Sequence, residues 1–207
     1  MNHMSPQFLR VVFSPGVQPD KWFARFDERV PGWRVAGAAA DDPLKYVDRG
    51  VADLALVRLG AADVDKYVFH QVVLYEEQVG VAAPKDHPIK VMDRVRHAEL
   101  EGEMEIYTTP LSGEVDSTQV REALQVVEAN VGVAIAPRPL LRAINQPGVV
   151  HRDLLDATSV GRTRVAAVWK IDRDDDFVQD FVGICRGRKA RSSRQQNTSS
   201  NGKRQQK

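Results

Sequence analysis

Gly50-Val51-Ala52-Asp53-Leu54-Ala55-Leu56-Val57 is a helix terminator followed at once by a short apolar run, and its place as the third strand of a βαβαβ unit decides the fold. Working backwards from Gly50, Leu44 and Val47 fall at helical spacing behind Pro43, with Asp42 placed to cap. Ahead of them Trp33-Arg34-Val35-Ala36-Gly37-Ala38 reads as a strand. One unit earlier the order repeats: strand Leu9 to Phe13, the turn Ser14-Pro15-Gly16, then Trp22, Phe23, Phe26 and Val30 at helical spacing after Pro19. Strand, helix, strand, helix, strand implies a parallel sheet with right-handed crossovers.

Working forwards from Val57, strands are expected at Tyr67 to Leu74 and Gln78 to Ala83. A short helix near Asp93 to Leu100, a strand at Glu103 to Thr108 and a helix at Thr118 to Ala129 follow. Asp116, three residues before Gln119, has the spacing of a capping box, and Asn130 suits a left-handed helix end. A strand at Val131 to Ala136, a short helix from Pro139, a strand near Val149-Val150 and a strand from Arg164 to Lys170 come next. The last helix, Asp174 to Arg186, has aspartates at its start and arginines at its end, as the helix dipole favours.

Three segments in this order carry a family resemblance: residues 50–56, Val81-Ala82-Ala83-Pro84-Lys85-Asp86-His87-Pro88, and Val131-Gly132-Val133-Ala134-Ile135-Ala136-Pro137. Together they resemble the effector-binding half of LysR-type transcription regulators over roughly residues 8 to 185. The resemblance implies a two-lobed, type-II periplasmic-binding-protein-like α/β fold. It also implies a small-molecule ligand, commonly an organic acid, held between the lobes. Residues 8–84 and about 146–188 would form the first lobe, 85–145 the second, and 189–207 a disordered basic tail. The chain between the second and third segments is shorter than the family usually has, so the second lobe is expected to be shortened by a strand and a helix. The ending Phe181-Val182-Gly183-Ile184-Cys185-Arg186-Gly187-Arg188 is similar to that of stand-alone LysR-like substrate-binding proteins of actinobacteria, and the first strand begins near Met1. The expectation is therefore a ligand sensor without its own helix-turn-helix.

Composition bounds the alternatives. At 207 residues and 43% hydrophobic the chain can bury a core, and its apolar runs fall far short of the ~20 residues that cross a bilayer. No basic stretch followed by an apolar one opens the chain, which favours the cytoplasm. One cysteine, Cys185, excludes an internal disulfide and a cysteine zinc cluster. His97 and His151 lack metal-ligand spacing, and Asp172 with Asp174 to Asp176 lacks the Gly and Glu of a calcium loop. Neither a phosphate loop nor Gly-x-Ser-x-Gly occurs, so no cofactor, metal or catalytic residue is assigned. Of 29 Lys and Arg, eight lie in residues 186–207 with no acidic residue, leaving about −7 on the body. Arg186, Arg188, Lys189 and Arg191 are the candidate contacts to nucleic acid, weak and salt-sensitive; a solubilising end is the competing reading.

Ligands of open α/β lobes bind beyond the carboxyl ends of the strands. That places Ser14, Pro15 and Gly16 after the first strand, where a hydroxyl and amides suit a carboxylate, although the same residues also read as a plain turn. The resemblance adds Ala40 and Asp41 after the second strand and Thr108 and Thr109 from the second lobe. Arg58, closing the third strand, is read as a cation for an anionic ligand or as an exposed charge. Asp41 would repel an anion if it faced the cleft and would then favour a cationic or polar ligand. A partner protein and at most a weak homodimer complete the expected interactions.

Overall fold

A computed structural model describes residues 6–187. Its elements run β1 (Gln7–Phe13), α1 (Asp20–Arg29), β2 (Trp33–Ala39), α2 (Pro43–Asp48), β3 (Leu54–Leu59), β4 (Phe69–Glu76), β5 (Val79–Pro84), β6 (Arg94–Arg96), β7 (Glu105–Thr108), α3 (Ser117–Glu128), β8 (Val133–Pro137), α4 (Arg138–Ile144), β9 (Val149–Leu155), β10 (Arg164–Lys170) and α5 (Asp176–Cys185). They form two five-stranded sheets, β2-β1-β3-β10-β4 and β6-β9-β5-β8-β7. In the first, β1 pairs parallel with β2 and β3, while β10 returns antiparallel between β3 and β4. The βαβαβ unit is thus present, closed by a strand from the far end of the chain.

The chain crosses between sheets at Glu77-Gln78 and returns through residues 156–163, because β5 and β9 pair with each other in the second sheet. The lobe boundaries expected at residues 84 and 146 are corrected accordingly. The second sheet has as many strands as the first. In the second lobe α3 and α4 pack on one face of the sheet, and the other is covered by 3-10 turns at Pro88–Val91 and His97–Leu100. The helix expected near Asp93 to Leu100 is instead β6 followed by the second of these turns, since Val95 is buried between exposed Arg94 and Arg96 with strand alternation. Only two residues of β9 were anticipated. Its continuation His151-Arg152-Asp153 is polar, and those groups are met by Arg138 and by the carbonyls of Lys90 and Met92.

Several local expectations are met. Asp42 accepts the Lys45 amide at the start of α2, Asp116 accepts those of Thr118 and Gln119 before α3, and Asp175 accepts that of Val178 before α5. Asn130 takes φ 65° in the turn after α3. The first-lobe core joins Leu9, Val11, Leu54 and Leu56 to Phe26 of α1 and Phe181 of α5, whose rings meet edge-on at 5.8 Å. Cys185 packs against that core, and burial pushes its thiol far above the ordinary range, which suits an inert packing role.

At the amino end of β3, Asp53 is buried and accepts from the Arg10 amide at 2.9 Å, from the Arg10 guanidinium at 2.7 and 3.0 Å, and from Arg173 at 2.8 Å. Burial alone would raise the Asp53 carboxyl pKa, but the Arg10 bonds and the charges of Arg10 and Arg173 carry it below its ordinary value. A depressed carboxylate stabilises the fold above its unfolded pKa of about 3.9 and loses that contribution as pH falls through the folded value. Asp53→Asn is expected to cost about 1 to 3 kcal/mol in urea unfolding at neutral pH, with the gap from the natural chain closing as pH drops below about 4. A gap that stays constant down to pH 2 contradicts this.

Candidate functional site

β1 and β3 end side by side and deliver Ser14 and Arg58 to the same place. The Arg58 amide donates to Ser14 Oγ at 3.0 Å, and the Arg58 guanidinium donates to the Pro15 carbonyl at 2.9 Å. That guanidinium is not free to neutralise a ligand. It forks onto Glu77, Nε to Oε2 at 2.6 Å and Nη2 to Oε1 at 2.8 Å, with side chains 4% and 0% exposed. The expectation of Arg58 as an open cation, or as an exposed charge, is corrected on both counts: its partner Glu77 lies 19 residues on, at the crossing. Thr163 on the return crossing donates its hydroxyl to the same carboxylate at 2.9 Å, and the Glu77 amide donates to the Thr163 carbonyl. Both crossings are therefore tied to the carboxyl ends of β1 and β3.

The second lobe brings Tyr107 and Thr109 to this neighbourhood. Burial lifts the Tyr107 phenol above its ordinary pKa, opposed by its hydrogen bond with Thr109; the charge of Asp116 adds to the lift and that of Arg58 opposes it. Thr109 is buried, takes the Ile135 carbonyl with both amide and hydroxyl, and offers its own carbonyl to the Gly161 amide at 3.2 Å. Thr108 points elsewhere, donating to Glu105 of its own strand, so of the expected pair only Thr109 faces the junction. Alternation along an extended strand end is the reason: neighbours point to opposite sides. Ala40 donates its amide to the Phe13 carbonyl and holds the end of β2 against β1.

Asp41 reaches Arg121 of α3 at 3.3 Å, an exposed contact between the lobes. Its charge is matched across the gap by Arg121. Gly16, at φ +93°, lies so close to the start of α4 that a Cβ would stand 2.7 Å from Pro139 backbone atoms. Gly60 similarly meets the 112–114 turn, where the Ala61 amide donates to the Ser112 carbonyl at 2.7 Å. The lobes are closed on each other. Ser14, Pro15, Gly16, Arg58 and Thr109 share the junction, and Asp41 guards its rim. Sequence reasoning missed Glu77, Tyr107 and Thr163; the signal available was that Glu77 stands between two strands of opposite destination.

His87 caps the first 3-10 turn through Nδ1, and His151 accepts from Arg138 Nε at 3.1 Å. Among the described residues no group of three or more His, Cys, Asp or Glu could hold a metal ion. Arg186 is exposed at the end of α5; Arg188, Lys189 and Arg191 lie outside the described residues.

Residues 9–190 match a protein family described as the LysR substrate binding domain. No curated protein matches the chain by sequence. Among solved structures, the effector-binding domain of a BenM variant is 18% identical with a TM-score of 0.63, covering 87% of this chain and 94% of that domain. The BenM effector-binding domain with its effector benzoate is 17% identical, TM-score 0.62, covering 87% and 91%. The regulatory domain of MetR, a LysR family regulator from N. meningitidis, is 17% identical, TM-score 0.54, covering 87% and 93%.

The Arg58–Glu77 pair gives a direct test of the junction. Arg58→Met leaves a buried carboxylate without its cation and is expected to cost about 3 to 5 kcal/mol in urea unfolding, whereas Arg58→Met with Glu77→Leu recovers most of that loss. A single variant as stable as the natural chain removes the pair from its structural role.

Proposed function

As this chain belongs to the LysR substrate-binding domain family, we propose that it is a small-molecule sensor whose ligand binds between the lobes and biases their closure. The observation that carries this reading is the meeting of Ser14-Pro15-Gly16 with the start of α4 and with Thr109 at one junction built from both lobes. A ligand there touches both lobes at once, and the two crossings at Glu77-Gln78 and 156–163 are where the chain would flex. BenM is seen with benzoate, and a small organic acid or other small metabolite of that size is the class proposed for this cleft.

The chemistry of the junction shapes the expected ligand. Arg58 and Glu77 neutralise each other, so an acid ligand would be held by hydrogen bonds and backbone amides and not by a bare cation. Ser14 Oγ accepts from Arg58, which leaves its proton to donate to an oxygen of the ligand. These groups lack the nucleophile and base pair of a hydrolytic centre, and binding is the role we assign them. We place the sensor in regulation with a partner protein, in the cytoplasm, forming at most a weak homodimer. No described helix is long and apolar enough to cross a membrane.

A thermal unfolding screen of the full chain against small organic acids and neutral metabolites tests the reading. A ligand at 100 times its Kd adds about 2.7 kcal/mol, which moves the midpoint by roughly 5 to 10 °C for a domain of this size. Gly16→Ala forces a Cβ against Pro139 and is expected to remove that gain while leaving both sheets folded. Ser14→Ala should weaken binding by about 1 to 2 kcal/mol. A screen in which no compound raises the midpoint, or a gain untouched by Gly16→Ala, overturns the cleft.

A further inference from the structure

Behind the closed junction, on the hinge side, the surface has a second concavity of about 330 Å³. It is lined by Gly60, Ala61, Glu76 and Arg164 of the first lobe, Leu111 of the second, and Thr158 and Val160 to Thr163 of the return crossing. None of the cleft residues Ser14, Gly16, Arg58 or Thr109 lines it.

Three features of its wall point to a ligand. First, Leu111 is 74% exposed on the 110–113 turn and lines the groove together with exposed Ala61, an apolar surface with no covering segment among the described residues. Second, Arg162 is largely exposed and meets Glu76 only at 3.7 Å, an ion pair loose and wet enough to be exchanged. Third, Arg164 Nε is buried with no hydrogen-bond partner among the described residues, although Nη2 is engaged by Ala61, Ala62 and Asp63. A buried guanidinium N–H without an acceptor carries a desolvation cost that an incoming oxygen would relieve.

We propose that this groove is a second binding site, distinct from the cleft, for a small amphipathic carboxylate. Its apolar body lies against Leu111 and Ala61. Its carboxylate displaces Glu76 from Arg162 and, with a small rotation of the side chain, supplies the acceptor that Arg164 Nε lacks. Glycine at 60 and 161 lets the two lobes meet closely beside the groove: a Cβ on Gly161 would stand 1.8 Å from the Pro110 carbonyl oxygen, and one on Gly60 2.1 Å from that of Ser112. Because the walls come from both lobes and the crossing, the bound acid holds the lobes in the closed arrangement. The assignment does not rest on ligand binding in the cleft.

The test is an amide-resolved NMR titration of the full chain with hexanoate and benzoate, and with hexanamide as the uncharged control. Hexanoate or benzoate is expected to shift the amides of Gly60, Ala61 and Gly161 saturably, with hexanamide at least tenfold weaker. Arg162→Ala and Leu111→Asp, both at exposed positions, are each expected to weaken the shifts at least tenfold, and Arg162→Lys to restore part of the binding. Shifts confined to Gly16 and Thr109 locate the acid in the cleft alone and overturn the groove. Shifts at Gly60 and Gly161 that persist in Arg162→Ala, or that hexanamide reproduces, overturn it as well, whatever the cleft does.

Discussion

A bidentate ion pair between Arg58 and Glu77, almost wholly shielded from water, sits where four segments meet: the end of β3, the turn after β1, the outgoing crossing and the return crossing. Desolvating both charges is expensive, and the bidentate geometry with its added hydrogen bonds offsets the cost. Glu77 takes two guanidinium N–H groups and the Thr163 hydroxyl; Arg58 gives its remaining contact to the Pro15 carbonyl. Burial raises Tyr75 to about 12, with Glu77 adding to the lift and Arg58 opposing it, so this phenol too stays neutral beside the pair. The arrangement fixes where the two sheets can pivot.

Around that anchor the lobes meet largely through backbone. Gly16 against Pro139, Gly60 against Ser112, and Gly161 against Pro110 are approaches that any Cβ would block. Opening the junction would leave amides such as those of Ala61 and Gly161 without their carbonyl partners. The Asp41–Arg121 pair at the rim is solvent-exposed and adds selectivity of alignment more than strength.

The βαβαβ start, the strand Arg164–Lys170, the caps at Asp42 and Asp116 and the left-handed turn at Asn130 were all legible in the sequence, because each depends on residues a few positions apart. Periodicity, a capping carboxylate and a residue tolerant of positive φ are local physics. The same reasoning failed where burial was supplied from a distance. β6 has only Val95 to mark it, and β9 hides behind His151, Arg152 and Asp153, polar residues that become strand only because Arg138 and the Lys90 and Met92 carbonyls meet them.

For the site, the sequence determined which segments converge: turns that follow parallel strands share one edge of a sheet, so Ser14, Asp41 and Arg58 had to be neighbours there. The tertiary structure decided what each of them does. Arg58 is a paired structural cation, Asp41 a rim contact to α3, and Thr109 the inward member of the Thr108-Thr109 pair. Their partners stand 19, 80 and 26 residues away along the chain. Charge and hydrogen bonding fall off with distance in space, and a linear sequence orders residues along the chain alone; the fold is what turns those separations into contacts of about 3 Å.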